Sequence, residues 1–449
     1  MSHGSGAAGH HRTTHDACFA TATGRQATVV PARILDPASR PDPYPLYDEI
    51  RAAEPVWVPG RPVVVFASHA ACDAVLRDPR ASNDRCHALL HRATGSAAAS
   101  NSGKSPPAEL PSFLFMDPPR HGALRRLAAP RFTPRAVRRL TPMIRGLIDD
   151  LLDEVAARGR LDGVTDLASP LPVTVIGRVL GIDTGDREWY RTRSSLLGRA
   201  VDPYLAFLGV PTPGLDRRRR AEAELTSFFA GLVAERRAEP RDDIVSDLLT
   251  ADIDGEPLPD EEIVTTCRLL LNAGHETTVS LIANGLQTLL DQPGVLAALR
   301  DDPAVAAPLV VEELLRLQPP LQLVHRHARE DMDVRGTHVP RGTTMVLLLA
   351  GANRDGRCFD RPAGLDTART DSAGHLSFGL GTHYCLGAPL GRLEAELAFA
   401  RFAQRVVGPK LVGGTPRYRP HVVLRGPVSL PLRTRAILDR TTPWGAVPS

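Results

Sequence analysis

The sequence predicts a mainly α-helical protein with a minor β region, folded as one large unit, and three observations carry that expectation. Apolar residues recur at helical spacing through most of residues 120–237, a longer helical stretch runs without a break from 260 to 290, and strand-like runs are short, at 62–68 and in pieces after 321. A chain of 449 residues exceeds the usual single-core size, so length alone leaves two or three domains, or one large helical assembly, as alternatives.

Residues 1–30 are rich in Gly, Ala, His and Thr without apolar periodicity, so a disordered tail with solvated histidines is expected. Just after Tyr44, PLYDEIRAAEPVWV predicts a short helix; PVVVFAS over 62–68 predicts a strand, followed by a helix through Leu76. Residues 92–111 are Gly-, Ser- and Pro-rich and predict a mobile surface loop. The helical spacing of 120–237 is interrupted over 201–215, where three prolines and two glycines end any helix. Pro259, Asp260, Glu261 and Glu262 place a turn breaker and then acids where the next helix starts, which suits the positive end of its dipole. That helix would span roughly 45 Å. It is apolar nearly all round, so it should lie buried at the centre of the protein. A further helix is expected over 303–317, with strands beyond.

Composition narrows the function. Hydrophobic residues are 43% and charged residues 23% of the chain, ordinary for a folded soluble protein and unlike a disordered one. A net charge of +3 does not suggest a nucleic-acid partner. The basic residues are almost all Arg, with Lys104 and Lys410 the exceptions. The cysteines at 18, 72, 86, 267, 358 and 385 lack the paired spacing of a zinc site or a small disulfide framework, and free thiols in a reducing cytoplasm are expected. No stretch approaches eighteen uninterrupted apolar residues, and the N-terminal segment has no basic-then-apolar signal pattern, so neither membrane anchoring nor export is expected.

Two segments carry chemistry. Ala273-Gly274-His275-Glu276-Thr277-Thr278 sets a carboxylate and hydroxyls into the middle of the apolar helix, where burial is costly unless they are paired or solvated. One reading is structural: Thr277 bonds back to its i−4 carbonyl and Glu276 reaches a nearby Arg. The second segment, Ser377-Phe378-Gly379-Leu380-Gly381-Thr382-His383-Tyr384-Cys385-Leu386-Gly387, precedes a helical run. Its two early glycines permit a tight turn and close backbone approach to a flat ligand. Cys385 then sits near a helix start, where free N–H groups and the dipole favour a thiolate, a soft ligand suited to iron. His383 and Cys385 lack the second ligand pair that a zinc site needs.

Phe378, Gly379, Gly381, His383, Cys385 and Gly387 together resemble the haem-binding loop of the cytochrome P450 family, Phe-Gly-x-Gly-x-His/Arg-x-Cys-x-Gly. Three further segments resemble family elements in order and separation: 273–278 the oxygen-activating helix, Glu313-Leu314-Leu315-Arg316 the Glu-x-x-Arg helix, and Asp366 with Arg369 the following meander. The resemblance covers nearly the whole chain beyond the tail and implies a single domain of the cytochrome P450 fold over 31–449. Glu313 and Arg316, spaced i, i+3, share a helix face and are positioned to pair with each other and with Arg369.

The resemblance implies a haem b cofactor (iron protoporphyrin IX) with Cys385 as axial ligand, and O₂ as co-substrate. It implies propionate contacts from His121 and Arg125, spaced i, i+4, and from Arg326 and His383, with Arg126 and Arg329 left as solvated charge. Thr277 would hold a water and bond the distal oxygen, Glu276 would relay protons, and Ala273 with Gly274 would leave room for O₂. The implied activity is oxidation, foremost hydroxylation, of a lipophilic small molecule by a monomeric cytoplasmic enzyme fed electrons by a separate ferredoxin and ferredoxin reductase. Arginines 125, 126, 131, 135, 138 and 139 are candidates for the docking surface. By family analogy 84–115, 195–215, 269–273, 321–324 and the turn near Val428 face the substrate, and their aliphatic character suggests a natural product. Epoxidation, oxidative coupling and peroxide-driven oxidation are alternatives; a non-catalytic haem-binding or gas-sensing protein is an alternative of another class.

Overall fold

The computed structural model describes residues 33–89, 111–182, 187–198 and 215–441. The expected tail, the loop over 92–110 and the interruption over 201–214 lie outside the described residues.

The first half supplies α1 (Tyr44–Ala53), α2 (His69–Arg77), α3 (Arg120–Ala128), α4 (Pro134–Arg138), α5 (Thr141–Arg158), α6 (Pro170–Val179), α7 (Arg187–Gly198) and α8 (Leu215–Ala238). The second half supplies α9 (Ile244–Leu249), α10 (Asp260–Leu290), α11 (Pro293–Asp301), α12 (Pro303–Leu317), the single turn α13 (Leu349–Ala352) and α14 (Ala388–Arg405). Their ends follow local chemistry. The Ser68 hydroxyl accepts the Ala71 N–H to start α2, Asp243 does the same for Ser246 at α9, and Gly159 closes α5 in the left-handed region.

The minor β region centres on one mixed sheet of β1 (Val56–Trp57), β2 (Val63–Phe66), β3 (Ala81–Ser82), β4 (Val324–Ala328) and β5 (Thr344–Leu347). Its order is β1-β2-β5-β4-β3, with β2 and β5 parallel and the other pairs antiparallel. Strands from the two ends of the sequence thus lie side by side, which ties the early segment to the late one.

The helix expected over 260–290 has those limits, and α6, α7, α8 and α14 pack around it. Small residues make this possible. A Cβ at Gly285 would collide with Phe399 of α14, and one at Gly274 would lie 2.9 Å from Cγ1 of Ile176 on α6. Gly274 therefore serves helix packing; the expectation that it leaves room for O₂ is not met, because its missing side chain points at α6.

Glu313 and Arg316 of α12 are fully buried and pair at 2.7 Å. Arg316 also donates to the carbonyls of Asn353, Pro362 and Gly364, while Arg369 Nε donates to Glu313 at 3.3 Å. Asp366 joins through its backbone N–H, and its carboxylate turns to Arg361 instead. One ion pair thus organises the irregular segment that leads to the cysteine loop.

Candidate active site

The loop before α14 is held by its own backbone. The Gly379 N–H donates to Leu376 O (2.8 Å), Cys385 N–H to Phe378 O (2.8 Å) and Tyr384 N–H to Gly381 O (3.1 Å). Gly379 and Gly381 both have positive φ, 65° and 66°, where a side chain is strained. At Gly381 a Cβ would also meet the Leu76 carbonyl oxygen at 2.6 Å, so this glycine allows the loop to press against α2. Phe378 lies under Arg392, whose guanidinium is 4.5 Å from the ring centre and is itself paired with Glu312 at 2.5 Å.

The Cys385 thiol is pushed above its ordinary range by burial. Backbone N–H groups of Gly387 and Ala388, with Arg125 and Arg392, oppose that shift without overcoming it. The donor set is arranged for a sulfur anion, and a bound metal cation would supply the remaining stabilisation.

Four residues from three distant segments converge beside this cysteine. The His121 and His383 rings lie 4.1 Å apart, and each feels Arg125 and Arg326 as neighbouring charges. Burial, reinforced by those cations, depresses both imidazoles, His383 to about 3. The His121 Nδ1 is buried without a hydrogen-bond partner. Asp117, the nearby carboxylate, is already engaged by the Ser82 hydroxyl (2.5 Å) and the Asn83 N–H (3.1 Å). Such a cluster of cations and neutral imidazoles fits a ligand bearing carboxylates, and the soft sulfur beside it fits a metal. The residues present therefore suit a haem. Arg126 and Arg329 are exposed, as a solvated role requires.

On α10, Ala273 is exposed in a largely buried stretch and Thr277 is half-buried. The Thr277 hydroxyl donates to Ala273 O at 2.7 Å, the backbone bond of the structural reading. Glu276 is buried and ion-paired with Arg419; it also accepts from the Ser195 hydroxyl at 2.5 Å. Burial alone would raise its pKa, but Arg419, then His275 and Ser195, outweigh that and hold it below the ordinary carboxylate range. His275, fully buried, meets the Ser194 hydroxyl at 3.1 Å, and desolvation lowers its pKa to about 4.

The partners Arg419, Ser194, Ser195 and His275 are the functional candidates that the sequence reading missed. His275 stood inside the polar run and was legible as unusual, whereas nothing near Arg419 marks it. Of the proposed docking arginines, Arg131 is spent on Asp242 and Asp247, and Arg125 turns inward beside Cys385. Arg126, Arg135, Arg138 and Arg139 remain exposed. Among the described residues, no helix is long and apolar enough to cross a membrane.

A family model described as Cytochrome P450 matches residues 56–406. The cytochrome P450 monooxygenase PikC of Streptomyces venezuelae is 37% identical over 404 residues, covering 88% of this chain and 91% of that protein. The vitamin D(3) 25-hydroxylase of Pseudonocardia autotrophica is 36% identical over 370 residues, 81% and 86% of the two chains. Among solved structures, ligand-free CYP164A2 of Mycobacterium smegmatis superposes with a TM-score of 0.83 at 41% identity, covering 90% of this chain and 99% of that one. P450BioI, in complex with an acyl carrier protein bearing hexadec-9Z-enoic acid, gives 0.78 at 32% identity, with 89% and 99% covered.

Proposed function

This chain belongs to the cytochrome P450 family and is an oxidoreductase of the monooxygenase class, and from that premise we propose that it hydroxylates a lipophilic small molecule, with electrons from a separate ferredoxin and its reductase. The family's cofactor is haem held by a cysteine thiolate, which when bound supplies the reductive activation of O₂. We assign haem b to the site, Cys385 to its iron, and His121, Arg125, Arg326 and His383 to its propionates. The single observation that carries this reading is the convergence of that cationic cluster on a cysteine aimed at by two backbone N–H groups.

The remaining chemistry is proton handling on α10. Thr277 Oγ1 donates to the Ala273 carbonyl and keeps its lone pairs to accept from a water; to donate to an oxygen ligand its hydrogen must leave that carbonyl. Glu276, ionised by Arg419, is a proton acceptor; to pass a proton inward its carboxylate must leave either Arg419 or Ser195. Phe378, Gly379 and Gly387 hold the cysteine loop in place, and Ala273 keeps the helix surface small where it is exposed. A lipophilic substrate suits the relatives named above, which include a vitamin D(3) 25-hydroxylase, and we take the enzyme to act as a cytoplasmic monomer. A tailoring role in natural-product biosynthesis follows from the same reading.

The experiment is turnover with ferredoxin, reductase and ¹⁸O₂ on compounds that shift the haem spectrum. One labelled oxygen in the product supports hydroxylation or epoxidation, which product structure separates. Oxidation without label, or driven by peroxide alone, contradicts the proposal. Electron consumption independent of substrate would mark a haem sensor instead. Docking through Arg126, Arg135, Arg138 and Arg139 predicts a rate that falls with salt.

A further inference from the structure

A second group of metal-type donors lies at the exit of β3. Asp84, Cys86 and His87 bring a carboxylate oxygen, a thiol sulfur and an imidazole nitrogen together, all within 4.8 Å of one another. The local backbone explains why they converge. Asp84 caps the single 3-10 turn Arg85–His87: its Oδ1 accepts the Cys86 N–H at 2.8 Å, and its carbonyl accepts the His87 N–H at 3.2 Å. In so tight a turn residues i, i+2 and i+3 lie beside one another. The set contains no second Cys or His pair, which is why the spacing of the cysteines does not mark it.

Each donor is reachable from solvent: Cys86 is exposed, and Asp84 and His87 are half-buried. Among the described residues the Asp84 side chain accepts only the Cys86 N–H, through one oxygen, which leaves the other to a ligand. Arg85 does not pair with it; its guanidinium lies 4.2 Å from the ring centre of Phe115 instead. His87 Nε2 faces the Asp117 carboxylate at 3.8 Å. Asp117 is in turn fixed by the Ser82 hydroxyl and the Asn83 N–H. A histidine backed by a fixed carboxylate is the arrangement that orients imidazole ligands of metals.

We propose that Asp84, Cys86 and His87 bind a divalent transition-metal ion of the zinc class, with water completing the coordination. Zinc holds sulfur at about 2.3 Å and nitrogen or oxygen at about 2.0 Å, so tetrahedral ligands stand roughly 3.3–3.6 Å apart. Small shifts of solvent-accessible side chains close the set to that spacing. One thiolate, one imidazole and one carboxylate match a borderline-soft ion, whereas magnesium and calcium take oxygen shells. The thiolate and the carboxylate together neutralise the ion. Asn83, next to Asp84, accepts from Arg326 at 3.0 Å, so a bound ion would brace the segment that holds this arginine.

The test follows Cys86 itself, because a sulfur held by a metal reacts slowly with iodoacetamide. The full-length holoprotein, kept reduced with a phosphine, is titrated with zinc, and the alkylation rate at Cys86 is read by peptide mass spectrometry. Cys358, also exposed, serves as the internal reference. Saturable, severalfold slowing at Cys86 is expected, with Cys358 unaffected. Asp84→Asn keeps an acceptor for the Cys86 N–H, and His87→Gln keeps a polar side chain at a half-buried position, so neither should disturb the fold. Each should raise the zinc needed for half-protection by about tenfold or more. Magnesium at the same concentrations should protect nothing. Absence of saturable protection, or half-protection at an unchanged zinc concentration in both variants, would overturn the site; equal protection by magnesium would overturn the class of metal.

Discussion

The loop around Cys385 and the polar stretch around Glu276 both place chemistry in a packed core, but they are held by opposite means. The loop is held mainly by its own main chain: two glycines at positive φ and three short-range backbone bonds set the cysteine ahead of α14. Glu276 depends on side chains far away in sequence, Arg419 beyond α14 and Ser195 on α7. A site built from local backbone can be read from consecutive residues; one built from remote side chains cannot. The same contrast sets how each fails, because removing a single remote partner strands a buried charge.

The largest effect should therefore come from Arg419→Ala. Breaking a buried ion pair costs about 3–5 kcal/mol. The variant should melt well below the parent in a calorimetric scan, and its acid limb of turnover should move to higher pH as Glu276 loses the cation that keeps it ionised. An unchanged limb with unchanged stability would break the comparison.

Acidification sharpens it next. His275 has a folded pKa of about 4, against an ordinary value of ~6.5. The unfolded chain therefore binds a proton between those two values that the folded chain refuses. Stability is full above about pH 6.5 and falls by up to roughly 3 kcal/mol as pH drops to 4. His327, lowered to about 4 by burial, adds to the same window. Denaturant unfolding across that range should show the decline, and His275→Gln should flatten part of it; an equal decline in the variant would place the proton elsewhere.

A smaller loss is expected for Gly274→Ala, since overpacking costs about 1–3 kcal/mol. The added methyl meets Cγ1 and Cδ1 of Ile176, so Ile176→Ala, which removes both, should cost less stability in the Gly274→Ala background than in the parent. If Gly274→Ala instead alters O₂ handling with no loss of stability, its role is at the chemistry after all. The smallest effect on stability belongs to Thr277→Ala, which removes one hydrogen bond worth about 1 kcal/mol. Its signature should be kinetic: product per electron pair falls while hydrogen peroxide rises, and tightly coupled turnover would contradict the assigned role.

How much of this was legible follows the same division. The limits of α10 and α12 were readable because breaker, acids and apolar periodicity coincide in one window. The cysteine loop was readable because six fixed positions fall within ten consecutive residues. His121, Arg125, Arg326 and His383 became candidates only through family resemblance, since each alone looks like surface charge; the fold brings them together through α3, β4 and the loop. Gly274 was misjudged because one sequence does not say which neighbour a missing side chain faces. Arg419 was missed because its partner lies 143 residues away.

The central claim is that Cys385 binds the haem iron as a thiolate. Its most direct test is the absorption spectrum of the dithionite-reduced, carbon monoxide-treated protein, recorded for the parent chain and for Cys385→Ser. A Soret band near ~450 nm in the parent that is lost in the variant is the predicted result, because thiolate donation shifts the band to the red. A parent band at ~420 nm, or a ~450 nm band that survives the substitution, would contradict it.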